Sequence, residues 1–307
     1  MDKIIKTQYI GLDIGRGYVK AYSKHEGKEF KCNFKSIVSD GRSIYGKDYE
    51  DSIYIEVDGS EYFVGDLAEL EGYNPIQNLI DSKVGGIVPV LVLAALNEVA
   101  VSEFVSIALG VPNKSFKKSV LEEVENKYKN KTFKIKNKTT GATKQVTIKN
   151  ITIFREADAA LLWHVNNHPT LANGQIALVS IGFRTTEFCY YDKGLKYNEK
   201  MSDTRELGNK TALETVRRKL KDVGTVHPLS VIDTSENYED LKKQPYEMLS
   251  ASIETEIENL WPNGSEVTIF VAGGTALKLD LPHELLDDPQ MATSKGLFQV
   301  AIKKFCH

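Results

Sequence analysis

The stretch Ile10-Gly11-Leu12-Asp13-Ile14-Gly15-Arg16-Gly17-Tyr18-Val19-Lys20 sets the reading of the whole chain. Its alternating apolar residues describe a strand, Gly15-Arg16-Gly17 a tight turn, and Tyr18, Val19 and Lys20 the start of a returning strand. The turn receives a carboxylate from one strand and a lysine from the next. Glycines let backbone N–H groups approach phosphate oxygens, a lysine neutralises their charge, and a carboxylate such as Asp13 can hold the waters of a Mg2+ ion. An ordinary hairpin turn with a solvated lysine has the same local signature.

A similar order returns later. Residues 176–180 and 186–191 are β-prone and flank the turn in Val179-Ser180-Ile181-Gly182-Phe183-Arg184-Thr185-Thr186-Glu187, placed to clasp phosphates from the other side. Thr185 and Thr186 are also simply good strand residues. A third turn, Phe270-Val271-Ala272-Gly273-Gly274-Thr275-Ala276, follows a buried strand over 267–272 and reads as opening a helix. It suits close approach of a ribose or an α-phosphate, although any strand-to-helix turn looks alike at this level.

Around these turns, residues 8–12, 18–23 and 29–34 read as strands, and 53–57 with 61–64 as a hairpin about Asp58-Gly59. Residues 88–109 carry apolar residues at helical spacing up to Gly110-Val111-Pro112, predicting one long buried helix. An amphipathic helix is expected over 117–130, a hairpin at 132–135 and 145–148 about Gly141, and a further strand at 151–154. After Asp192-Lys193-Gly194, residues 195–199 extend the second strand group, and helices are expected near 210–221, 238–260 and 294–305. Strand, hairpin and helix groups occurring twice predict two related α/β domains with a ligand between them.

The chain has 307 residues, enough for two domains, with 41% hydrophobic and 26% charged residues, which excludes long disorder and fibrous repeats. Its net charge of −3 gives no global attraction to nucleic acid or anionic lipid. Eleven lysines against three glutamates between 114 and 149 are read as exposed hairpin edges rather than a DNA site, because no aromatic platform accompanies them. The longest apolar run, 87–96, contains Pro89 and is about half of the roughly 20 residues a membrane helix needs. No signal-peptide pattern opens the sequence, and Cys32, Cys189 and Cys306 are isolated, so a cytoplasmic protein with reduced packing thiols is expected. His25, His164, His168, His227, His283 and His307 are read as satisfied or solvated imidazoles without ligand spacing.

Taken in order, the three turns resemble the two phosphate loops and the adenosine loop of the actin, Hsp70 and sugar-kinase superfamily. In particular they resemble the bacterial plasmid-segregation actins of the ParM or StbA type. Further likenesses are Tyr62-Phe63-Val64-Gly65-Asp66-Leu67-Ala68, Ala108-Leu109-Gly110-Val111-Pro112 and Asp288-Pro289-Gln290-Met291-Ala292-Thr293-Ser294-Lys295-Gly296-Leu297, so the resemblance spans nearly the whole chain. The length agrees, since Hsp70 and the sugar kinases carry extra domains. The resemblance implies an α/β actin-like fold of two related domains, 1–158 plus 289–307 and 159–288, with a nucleotide cleft between them. It further implies an ATPase that binds Mg2+ with ATP or ADP, GTP being an alternative, and stacks head to tail into filaments. Such filaments move plasmid DNA through a DNA-bound adaptor, without direct DNA or membrane contact.

Residue by residue, Asp13, Gly15, Arg16, Gly17, Tyr18 and Lys20 match the first phosphate loop; Gly182, Phe183, Arg184 and Thr185 match the second; Gly273, Gly274 and Thr275 match the adenosine loop. The base is expected beside residues 210–221. Phe154-Arg155-Glu156-Ala157-Asp158-Ala159-Ala160 matches the connection in which a Glu or Gln orients the attacking water, making Glu156 the catalytic candidate, with Asp13 the metal-holding one. A carboxylate just after a strand suits that role, and equally suits a first-turn acid facing a helix dipole. Two positions depart from the family pattern: Glu187 stands where an Asp closes the second loop, and Ser180, a neutral residue, where an Asp normally opens it. Loss of that charge would weaken Mg2+ binding or slow hydrolysis, which leaves a non-polymerising nucleotide-binding scaffold as the alternative. A small-molecule kinase of the same fold is less consistent, since no acceptor-binding insertion is seen.

Overall fold

In the computed structural model, residues 6–44, 49, 52–262 and 267–306 are described; Met1–Ile5 at the signal-peptide position and His307 lie outside them. The chain forms two units, one from residues up to Trp163 together with Thr293 onward, the other from His164–Ala292. The first contains β1 (Gln8–Ile14), β2 (Tyr18–His25), β3 (Lys28–Lys35), β4 (Ile37–Asp40), β5 (Ile53–Val57), β6 (Ser60–Val64), α1 (Asp66–Glu71), β7 (Ile76–Gln77), α2 (Val88–Val99), β8 (Phe104–Val111), α3 (Lys118–Tyr128), β9 (Lys131–Asn137) and β10 (Thr143–Arg155), followed by α4 (Glu156–Asn167). The second contains β11 (Ile176–Ile181), β12 (Thr186–Asp192), β13 (Lys196–Tyr197), β14 (Asp203–Arg205), α5 (Asn209–Asp222), α6 (Leu229–Thr234), α7 (Glu239–Leu260), β15 (Thr268–Ala272) and β16 (Glu284–Leu285). Helix α8 (Ala292–Phe305) then returns the chain to the first unit.

The same five-strand order occurs twice. In the first unit it is β3-β2-β1-β8-β10, extended by β9, β5, β6, β4 and β7; in the second it is β13-β12-β11-β15-β16. In each, the three leading strands are antiparallel and the next two join in parallel. Strands β1 and β8 are apolar nearly throughout because both sheet faces are covered. On one face α2 buries Leu91, Val92, Ala95 and Leu96 in the main core. On the other, Ala108, Ala159, Leu297, Val300 and Ala301 form a second cluster under α8. The approach there is backbone to backbone: a Cβ on Gly11 would stand 2.0 Å from the Ser294 carbonyl oxygen, and one on Gly296 1.7 Å from that of Ala159.

The expected helix over 88–109 is two elements, α2 and the central strand β8. A continuous apolar run serves a buried helix and a doubly covered parallel strand equally well, and periodicity cannot separate them. The break lies at Ala100–Glu103, where Gln8 ends the helix. Its Nε2 donates to the Val99 carbonyl at 2.8 Å, while its Oε1 accepts from the amides of Val101 and Ser102 at 2.8 and 3.1 Å. Conversely, 145–148 and 151–154 are one strand, β10, bridged by an irregularity between Ile148 and Asn150. The expected helix after Gly273-Gly274 is a single turn, Ala276–Lys278. Helix α6, entered from Pro228, was not anticipated, and of 195–199 only Lys196–Tyr197 pairs. Cys32 and Cys189 are covered, burial pushing the Cys32 thiol up to about 12, whereas Cys306 is exposed.

Candidate functional site

The first-unit turn is built by register. Asp13 on β1 is the direct partner of Lys20 on β2, and the pair closes at 3.2 Å between Lys20 Nζ and Asp13 Oδ2. The seven-residue spacing read from the sequence is therefore a cross-strand pair on one sheet face. The Gly15 amide donates to the Tyr18 carbonyl at 3.1 Å, tightening the turn. Its outer backbone is braced by Ser36 Oγ on the Gly15 carbonyl at 2.7 Å, Asn78 Nδ2 on the same atom at 3.3 Å, and Gln77 Nε2 on the Arg16 carbonyl at 3.3 Å. The Arg16 guanidinium is taken up by Asp81.

Beside this turn stands Glu156, the first residue of α4, and a residue the motif reading missed, Lys83. Lys83 is 7% exposed; its Nζ donates to the Ile14 carbonyl at 2.9 Å and to Glu156 Oε1 at 3.2 Å. Burial pushes the Glu156 carboxyl up from its ordinary value; Lys83 opposes that shift, and nearby Asp13 reinforces it. Asp13, Lys20, Lys83 and Glu156 thus form one charged cluster at the ends of β1 and β10. Gly110 makes room for it, since a Cβ there would lie 2.9 Å from Glu156 Cγ. A lysine in a loop with no motif around it carries no spacing signal, so only the fold could reveal Lys83.

The second-unit turn repeats the geometry with different charges. Gly182 donates its amide to the Thr185 carbonyl at 2.9 Å, as Gly15 does to Tyr18. Ser180 faces Glu187 across β11 and β12 in the register occupied by Asp13 and Lys20 in the first unit. Beneath the turn, α5 donates its first amides to the Gly182 and Phe183 carbonyls, from Asn209 at 3.2 Å and Lys210 at 2.7 Å. Gly208 is required there, because a Cβ would stand 2.7 to 2.8 Å from the backbone of Gly182, Phe183 and Arg184. Phe183 packs into the apolar cluster of Leu213 and Val216, and Arg184 pairs with Glu206.

The Gly273 turn is joined to this one. Gly273 has φ +96°, and a Cβ would meet the Ile181 carbonyl oxygen at 2.2 Å; Thr275 Oγ1 donates to the Gly182 carbonyl at 3.0 Å. Next to it lies a cavity of roughly 690 Å3 lined by Asp233, Lys242, Tyr246, Ser250 and Lys278 among others. Asp233 Oδ1 accepts from Asn209 Nδ2 at 3.0 Å and from Lys278 Nζ, while Tyr246 OH donates to Asn209 Oδ1 at 2.8 Å. The cavity walls come from α6, α7 and the turn after Thr275, and Asn209, at the head of α5, joins the network on Asp233. Among the histidines, His164 and His168 stand one helical turn apart and both find a hydrogen-bond partner in Asp287.

Residues 11–157 match the family described as the actin-like proteins N-terminal domain. No curated protein matches the chain. Among solved structures, a subunit of a 15-stranded ParM filament from Clostridium botulinum aligns with TM-score 0.81 and 20% identity, covering 97% of this chain and 100% of that one. An archaeal actin homologue in complex with ADP aligns with TM-score 0.78 and 20% identity over 96% and 99% of the two chains. ParM from Bacillus thuringiensis with ATP gives TM-score 0.67 and 14% identity over 98% and 100%.

Proposed function

From an actin-like N-terminal domain over residues 11–157 and an actin-like fold over the chain, we propose that this protein is a nucleotide-dependent, polymerising ATPase that serves plasmid DNA segregation. The observation that carries the reading is the repeated turn, Gly15 to Tyr18 and Gly182 to Thr185, at the ends of equivalent strands. Glycine turns of this kind let backbone amides approach phosphate oxygens. Lys20 neutralises phosphate charge, and the Gly273-Gly274-Thr275 turn receives the sugar, with the adjoining cavity for the base.

Asp13 fits the Mg2+ that accompanies a nucleoside triphosphate: it is a buried carboxylate with Oδ2 on Lys20 and Oδ1 beside Gly15. The ion would supply charge neutralisation at the β- and γ-phosphates. Glu187, on the same sheet face as Ser180, offers a carboxylate near the position where the family's Asp is missing. Glu156, its carboxyl raised by burial and its orientation pinned by Lys83, is suited to orient and accept a proton from the attacking water.

The likeness to a filament subunit supports filament formation, which we read as head to tail, and loss of the γ-phosphate would weaken the assembly. An adaptor rather than this chain would meet DNA. Several lysines of the 114–149 segment are committed internally, Lys138 to Glu56 and Glu61 and Lys144 to the Asn97 and Ala100 carbonyls. No helix among the described residues is long and apolar enough to cross a membrane. Light scattering on adding Mg-ATP, with Mg-ADP and Mg-GTP as controls and phosphate release in parallel, tests the reading. A nucleotide-dependent rise above a critical concentration is expected. Nucleotide binding with no rise under varied salt and crowding would replace it with the scaffold reading, which Ser180 favours.

A further inference from the structure

The second unit holds a cluster that takes no part in phosphate binding. His164 near the end of α4, His168 just beyond it and Asp287 after β16 each offer one ligand atom, and these atoms all lie within 4.8 Å of one another. His168 continues the helical turn, its amide donating to the His164 carbonyl at 3.1 Å, so the two rings lie on one side, tilted by 43° with centroids 4.6 Å apart. Asp287 Oδ2 lies 3.1 Å from His168 Nε2 and 3.6 Å from His164 Nδ1.

We infer that His164, His168 and Asp287 form a binding site for a borderline transition-metal ion, with Zn2+ the best match. With metal–ligand bonds of about 2.0 to 2.2 Å, the edges of a tetrahedral site are about 3.3 to 3.5 Å, and the two histidine–aspartate separations straddle that range. Two imidazoles and one carboxylate favour zinc-like ions over Mg2+, which prefers oxygen donors alone. His164 Nδ1 faces the Asp287 segment and accepts its amide at 3.3 Å, a hydrogen bond that an ion bound through this atom would displace. Asn167 Nδ2 donates to Asp287 Oδ2 at 3.1 Å and orients the carboxylate. His168 and Asp287 are 49% and 42% exposed at the side chain, which leaves an entry path and room for water as fourth ligand. His164 is buried, its ring packed edge-on against Phe270 with centroids 4.7 Å apart.

A bound ion would clamp the end of α4 to the segment whose Pro289 carbonyl accepts the Gly273 amide at 3.0 Å, and so stiffen the support of that glycine turn. The test is titration of the metal-stripped full-length protein with Zn2+ by calorimetry, and with Co2+ followed by its visible d–d spectrum. One ion per chain, with the absorption of four-coordinate Co2+ lost on adding Zn2+, is expected. His168→Ala and Asp287→Asn, both at exposed positions, should each weaken binding at least about tenfold while leaving the circular dichroism unchanged. No binding at micromolar Zn2+, or equal binding by both variants, would overturn the assignment, the trio then being a hydrogen-bonded cluster only.

Discussion

Replacing Lys83 by Met removes the cation that faces Glu156 without removing bulk. At 3.2 Å and an effective dielectric constant of about 20, the pair attracts by about 5 kcal/mol. Desolvation offsets much of this in the intact pair, but deleting one partner strands the other, at a cost of about 3 to 5 kcal/mol. The variant has one escape, protonation of Glu156. Burial already raises that carboxyl, and without Lys83 it rises further. A group whose folded pKa lies above its unfolded value contributes fully below the unfolded pKa, about 4.3 for Glu, and loses that contribution as pH climbs to the folded pKa. Parent and variant lose stability alike until the pH passes the raised Glu156 pKa of the parent; from there to the still higher pKa of the variant, Lys83→Met should lose stability relative to the parent by up to about 1.4 kcal/mol per pH unit, with the penalty larger near pH 8 than near pH 5. Urea denaturation of the parent, Lys83→Met, Glu156→Gln and the double variant across pH reads this directly. The double variant should be more stable than Lys83→Met alone at alkaline pH. A penalty below about 1 kcal/mol at every pH, with no recovery in the double variant, would refute the buried-pair account.

Other consequences can be checked alongside. Gly296→Ala puts a Cβ 1.7 Å from the Ala159 carbonyl oxygen, a backbone atom that cannot swing aside, so its melting temperature should fall by more than the usual overpacking loss of about 1 to 3 kcal/mol implies. Gly274→Ala, whose nearest neighbours are Gln290 side-chain atoms at 3.7 Å, should melt nearly as the parent does yet bind ADP more weakly in a fluorescent-nucleotide titration. Thr275→Val deletes the hydroxyl that ties the two second-unit turns and should cost about 1 kcal/mol together with nucleotide affinity. Ser180→Asp places a second carboxylate opposite Glu187; the nucleotide-free protein should lose stability and Mg2+ should restore it. Unchanged Mg2+ dependence and turnover in that variant would remove Ser180 from the account.

The turns were legible because glycine spacing and strand register are local. Asp13 and Lys20, seven residues apart, can meet only if the hairpin is tight, and the sequence says that it is. The repetition of strand and hairpin groups was legible for the same reason, each half announcing itself by its own hairpins. What escaped depends on distant partners. The split of 88–109 is made by Gln8, some ninety residues away, and the strand character of β8 by neighbours on both edges and both faces. Lys83 acquires meaning only beside Ile14 and Glu156. His164 and His168 do carry helical spacing, but the third member of their group, Asp287, is more than a hundred residues further on.

The return of α8 to the first unit makes that unit discontinuous, with an ordering consequence during synthesis. Strand β1 leaves the ribosome early, yet the bare backbone of Gly11 is covered only when Ser294 and Phe298 follow, after the whole second unit has been made. The second unit is continuous in the chain and can fold first. Until the last helix arrives, one face of the nascent first sheet stays open, the kind of transient apolar surface that recruits chaperones and makes late truncations prone to aggregate.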